Sequence, residues 1–233
     1  MIPALTLDGI KESLTFRVFG DDGSGERPTP HQNAVMVGLL FAPPSASLAK
    51  REVLPSLEYF HCRAGKQIDF FCAGYTQGFE GNTDAIGCSD YKAAGLEGWV
   101  FSNQRFVQLC REISEASTWK YSGETELVLT NAKYDPEGRT AVLDFSTAIL
   151  FRLDQMKHDK AIASVREFFE KIFQFAESTN ASDPTWTFSD KQGLKQGRSA
   201  FMRFLLSLLP KSIAEYFSKA KHYAVVNVSR AGQ

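Results

Sequence analysis

The strongest constraint on this chain is Val35-Met36-Val37-Gly38-Leu39-Leu40-Phe41, seven apolar positions without a polar break. A strand that is apolar on both faces must be covered on both faces, which places it in the middle of a sheet flanked by helices. Ile68-Asp69-Phe70-Phe71-Cys72-Ala73-Gly74-Tyr75 reads as a second strand of the same kind. Between the two, from Ser45 to about Cys62, the apolar residues Leu48, Val53, Leu54, Leu57 and Phe60 follow helical spacing. Pro55 inside that stretch removes a backbone donor and predicts a kink. Strand, helix and strand over about 40 residues make a right-handed unit with parallel strands.

Around this unit the punctuation is clear. Leu14-Thr15-Phe16-Arg17-Val18-Phe19 alternates polar with apolar and predicts an N-terminal strand, followed by a polar, Gly-rich loop over 20–28. Residues 76–98 carry Gly78, Gly81, Gly87, Gly95 and Gly98 and predict a loop, long enough to suggest a functional one. Ser102 is placed to cap a helix with Phe106, Leu109, Cys110 and Ile113 on its inner face. Asp135-Pro136-Glu137-Gly138 is a type I turn signal. It joins a strand from Glu126 to Tyr134 with a second in which Ala141, Leu143, Phe145, Thr147, Ile149, Phe151 and Leu153 alternate onto one face. An amphipathic helix over 161–177 follows, with Ile162, Val165, Phe168, Phe169, Ile172 and Phe173 inward and a Glu167–Lys171 pair outward.

From 35 to 177 the predicted order is β-α-β-α-β-β-α, and this order resembles the thioredoxin-like superfamily. The local match is Leu40-Phe41-Ala42-Pro43-Pro44-Ser45-Ala46-Ser47-Leu48-Ala49-Lys50-Arg51-Glu52-Val53-Leu54-Pro55: an apolar strand, a short turn and a helix kinked by proline. The resemblance implies an α/β thioredoxin-like core over 1–177, with an N-terminal strand. Where the family carries C-x-x-C this chain has Ser47-Leu48-Ala49-Lys50, and Tyr121-Ser122-Gly123-Glu124-Thr125 before the hairpin has no proline where the family has a cis-proline. Dithiol exchange therefore loses its chemistry. A flavodoxin-like or TIR-like sheet is the rival, but would need a parallel strand where the hairpin sits.

Composition sets the functional limits. The 233 residues hold 26 Lys and Arg against 27 Asp and Glu, a net charge of −1, so no global field points to nucleic acid. Aromatic residues are abundant, with 19 Phe, 7 Tyr and 3 Trp, which argues for a large core. Cys62, Cys72, Cys88 and Cys110 stand too far apart for a zinc pair and are expected as buried free thiols. His31, His61, His158 and His222 are scattered and expected as surface or capping residues. The chain has no P-loop, no G-x-S-x-G and no H-E-x-x-H. No cofactor and no metal is implied. The opening residues do not read as a signal peptide, and no apolar run approaches the ~20 residues of a membrane span, so a cytoplasmic protein without a transmembrane segment is expected.

Two candidate sites remain. Asp69, with Glu80, Asp84 and Asp90 beyond the end of its strand, could act as a carboxylate site of a hydrolase-type enzyme. The alternative is a non-catalytic interaction or accessory protein, favoured by the missing motifs. Its features lie after a breakpoint over 178–184, in a basic helical extension over 178–233 that is expected to pack on the core. Residues 191–233 hold eight basic residues and one acid, which is +7 against −8 for the remainder. Lys191, Lys195, Arg198 and Arg203 are the partner-binding candidates, with another protein as the first expectation and nucleic acid or an anionic membrane surface as the others.

Overall fold

A computed structural model describes residues 1–17, 20, 34–64, 68–77, 88–92 and 98–182. It is a mixed α/β protein built on one five-stranded sheet. The chain opens with β1 (Ile2–Ala4) and α1 (Leu7–Arg17), then enters β2 (Ala34–Phe41). After β2 come a π-helical turn over Ala49–Val53, a 3₁₀ turn over Leu54–Ser56 and α2 (Leu57–Arg63). This is the expected kinked helix. The Pro55 ring has no N–H to give, so the hydrogen-bond ladder widens before it and tightens around it. β3 (Ile68–Ala73) pairs parallel with β2, with Met36 opposite Ile68 and Leu40 opposite Cys72. β1 adds parallel to the far side of β3.

The hairpin is β7 (Glu126–Asp135) and β8 (Thr140–Arg152), with β7 antiparallel to β2. The sheet order is β1-β3-β2-β7-β8, and the β-α-β-α-β-β-α order is present. α3 (Asn103–Ala116) precedes the hairpin; α4 (Leu153–His158) and α5 (Val165–Ser182) follow it. Helices lie on both faces. On one, Phe60 of α2 stacks on Phe169 of α5 at 4.4 Å, and Phe169 and Phe173 cover Phe70 of β3 at 5.1 and 5.6 Å. That layer rests on Gly38, where any Cβ would sit 2.3 Å from the Phe70 ring. On the other face Phe106 of α3 meets Phe41 of β2.

Four expectations are corrected. Residues 14–17 belong to α1 and not to a strand, and the N-terminal strand is Ile2–Ala4. Leu7, Ile10 and Leu14 recur at helical spacing and are buried, whereas Phe16 is 65% exposed, which alternation would have placed inward with Leu14. The expected loop over 76–98 is partly sheet. β4 (Tyr75–Gln77), β5 (Cys88–Lys92) and β6 (Trp99–Ser102) form a second, antiparallel sheet in the order β4-β6-β5. Strands of three to five residues carry too little alternation to stand out among glycines.

The seven positions expected on one face of β8 divide between two. Pairing runs from Asp135 opposite Thr140 to Asn131 opposite Asp144, and resumes with Leu129 opposite Ile149 and Glu126 opposite Arg152. The bulge gives β8 three extra residues, an odd number, and so exchanges its faces. Ala141 and Leu143 lie toward the α1 side, while Phe151 packs on Phe168 of α5 at 5.2 Å. Leu153 has left the strand and opens α4. Finally, Cys62 is exposed while Cys72 and Cys110 are buried, so the expectation of four buried thiols fails at Cys62. It stands in the last turn of α2, on the side away from Phe60.

Other expectations hold. Ser102 caps α3, accepting from the Arg105 amide at 3.3 Å, and Phe106, Leu109, Cys110 and Ile113 are its buried residues. Glu167 and Lys171 pair at 3.6 Å. α5 begins at Val165 and continues past 177 to Ser182. The basic extension beyond it lies outside the described residues.

Candidate functional site

The predicted carboxylates do not form a site among the described residues. Asp69 is buried in the first half of β3, opposite Val37. Four residues separate it from the end of that strand, about 13 Å at the usual rise. Asp90 lies on β5 of the second sheet, which begins beyond that end. Glu80 and Asp84 lie outside the described residues, as do Lys191, Lys195, Arg198 and Arg203. Among the described residues no group of three or more His, Cys, Asp and Glu side chains could hold a metal ion. His61 and His158 are exposed; His61 bonds the Met1 carbonyl through Nδ1 at 2.9 Å, and His158 faces Asp159 at 2.8 Å. No helix among the described residues is long and apolar enough to cross a membrane.

The polar chemistry instead gathers where β2 ends and β7 begins. Antiparallel pairing puts Glu126 directly opposite Phe41, with its side chain fully buried on the α3 side of the sheet. The segment between α3 and β7 closes over it. Trp119 and Tyr121 come from that segment, and their rings lie 4.4 and 6.3 Å from the Phe41 ring. Phe106 meets Tyr121 edge-on at 5.1 Å. Inside this apolar wall the Trp119 indole N–H donates to Glu126 Oε2 at 3.1 Å. Ser117 anchors the segment: its hydroxyl donates to the Ile113 carbonyl at 2.7 Å and accepts from the Trp119 amide at 3.1 Å. On the other side the Thr125 amide donates to Asp154 Oδ2 at 2.7 Å.

Glu126 is incompletely matched. Its Oε1 has no hydrogen-bond partner, and the Arg152 guanidinium stands off at 3.7 Å, brought opposite by the bulge. The hydroxyls of Tyr121 and Thr125 are also buried without partners. Burial raises the Glu126 carboxyl above its ordinary value, and Ser122, Trp119 and Arg152 only partly offset it. Burial, with Cys110 and Glu126 next to it, raises the Tyr121 phenol. The Cys110 thiol is pushed up to about 12 by burial and then by Glu126. Cys72, fully enclosed in β3, is pushed up to about 12 by burial as well. Neither thiol is poised as a nucleophile.

Glu126 was legible only as the opening of a strand. A charged residue heading an apolar run, just after a Trp and a Tyr, is the signal that could have marked it. Comparison with protein-family models, with curated proteins and with solved structures gives no match for this chain.

Proposed function

We propose that this chain is a non-catalytic interaction or accessory protein on a redox-inactive thioredoxin-like fold, with another protein as its partner. The fold reading draws support from the sheet order β1-β3-β2-β7-β8, with the first three strands mutually parallel and β7 antiparallel to them. The loss of redox chemistry rests on one observation. Beyond the turn after β2, where the superfamily holds its dithiol, the chain has Ser47-Leu48-Ala49-Lys50 and no thiol. The described cysteines are dispersed over α2, β3, β5 and α3, and Cys72 and Cys110 are buried with thiols raised to about 12.

The partner surface in this reading is the basic set Lys191, Lys195, Arg198 and Arg203, whose charge opposes the acidic remainder of the chain. Like charge gathered in one stretch acts chiefly by steering a partner of opposite sign. The test combines two measurements on the full chain. Insulin reduction at the rate of a thiol-only control is expected; a faster rate that is lost in Cys72→Ser or Cys88→Ser overturns the non-catalytic reading. Lys195→Glu with Arg198→Glu should keep the melting temperature and lose salt-sensitive partners from native lysate. Unchanged partner recovery removes this surface from the proposal. Salt sensitivity follows from the Debye length, which shortens from about 10 Å at 0.1 M to about 3 Å at 1 M.

A further inference from the structure

The carboxyl of Glu126 has a geometry that suits one of its two forms far better than the other. As a neutral acid it has no charge to desolvate: the Trp119 N–H serves Oε2, and the one group left unserved is its own O–H at Oε1. As a carboxylate it carries a full charge that Ser122 offsets first and the Trp119 bond second, with Oε1 unpartnered in a site from which water is excluded. Its charged neighbours are distributed unevenly. Arg152, on β8, is the cation, and its side chain is 43% exposed, so attraction toward it leads outward. Glu124 on the covering segment and Asp154 on α4 add negative charge beside Tyr121 at the same mouth, and Cys110 on α3 stays a neutral thiol. Phe41 on β2 offers only a ring.

The covering segment depends on the same carboxyl. Trp119 is held by Ser117 at its backbone and by Glu126 at its indole, and no other polar side chain ties the Trp119–Tyr121 stretch to the sheet among the bonds described above. We propose that Glu126 is a proton-operated latch: neutral, it holds residues 117–125 down on the end of β2 through Trp119; ionised, it turns toward Arg152 and releases them. Release uncovers the rings of Phe41 and Phe106, an apolar surface at the carboxyl end of the central strands. The latch goes beyond the proposed function and does not depend on it.

Hydrogen exchange of the 117–125 amides on the full chain, corrected for the intrinsic pH dependence of exchange, tests the latch. Protection should fall by up to about tenfold per pH unit as pH rises from 4.5 toward the Glu126 midpoint, since one proton is coupled to opening over that window. Amides of α5, which open only with the whole molecule, should stay better protected than those of 117–125 over the same range. Glu126→Gln retains an acceptor for Trp119 and cannot ionise, so it should hold the acid-side protection at every pH. A carbon-13 titration of the glutamate carboxyls in the unsubstituted protein should give Glu126 a midpoint at which that loss of protection ends. Protection that is independent of pH, a fall that persists unchanged in Glu126→Gln, or a carboxyl midpoint separate from the end of that loss overturns the proposal. The last comparison decides even if the substituted protein does not fold.

Discussion

Gly74 joins the two sheets, and its backbone does so in a conformation that other residues avoid. Its φ is +79°, its amide donates to the Ala4 carbonyl at 2.8 Å and its carbonyl accepts from the Ser102 amide at 2.8 Å. A Cβ at this position would lie 2.6 Å from Phe106 Cβ and 2.8 Å from the Phe101 ring. Strain and overlap therefore act together. Gly74→Ala should cost about 3 kcal/mol in urea melts, from the left-handed conformation and the overpacked contact. A loss below about 1 kcal/mol would mean that the small sheet separates from the main one without consequence. Thr15 is a second residue with one clear task. Its hydroxyl accepts from the Ala141 amide at 2.7 Å, on the outer strand of the main sheet. Thr15→Val keeps the shape and leaves that donor without its acceptor, so it should cost about 1–2 kcal/mol; an unchanged melt would show that solvent replaces the bond.

At the scale of elements, the first turns of α5 are tied to the kinked helix over 49–63. Glu52, in the π-helical turn, accepts from the Val165 amide at 2.8 Å and pairs with Lys157 at 2.8 Å, which caps the start of α5. Farther along, Arg63 reaches Glu170 at 2.9 Å, Tyr59 donates to the same carboxylate, and Arg166 stacks over the Tyr59 ring at 4.0 Å. Phe168 and Phe169 lie between these ties and Phe173 lies one turn beyond, all buried. Phe168→Ala and Phe173→Ala should each cost about 3–5 kcal/mol, and a change under about 1 kcal/mol would detach the helix from the sheet. Both phenylalanines were legible as core residues because helical spacing survives any detail of packing. β2, β3 and the hairpin turn were legible for similar reasons of run length and turn chemistry. The candidate site was not, and the bulge explains why. With the register set by Asp135 opposite Thr140, Glu126 would face Ile149; three inserted residues bring Arg152 there instead. Nothing in the alternation of 141–153 announces that insertion. The N-terminal segment misled in the opposite way, because six alternating residues outweighed a helical repeat that began at Leu7.

Three carboxyls give the whole molecule a stability profile with two limbs of opposite sign. Burial alone would raise Glu52, but its bonds to Lys157 and the Val165 amide outweigh it and hold the group below its ordinary value of 4.5. Glu170 is likewise lowered: burial opposes, and Arg63 and Tyr59 prevail. A carboxyl lowered on folding contributes stability that is present above its unfolded value and is lost as pH falls through its folded one. Both therefore destabilise the protein in acid, below about pH 4.5. Glu126 has the reverse sign. Raised on folding, it binds its proton more tightly in the native state, so stability declines as pH rises from 4.5 through its folded value. Urea melts across pH should thus show a maximum above about 4.5, with an acid limb from Glu52 and Glu170 and a shallower decline on the alkaline side. Glu126→Gln should remove that decline and leave the acid limb in place. Glu170→Gln, by contrast, should flatten the acid limb and lower stability at neutral pH, because Arg63 and Tyr59 lose their charged partner. If the Glu126→Gln variant kept the alkaline decline, the buried carboxyl would not be its source, and the charge at the end of β2 would already be balanced in the folded state.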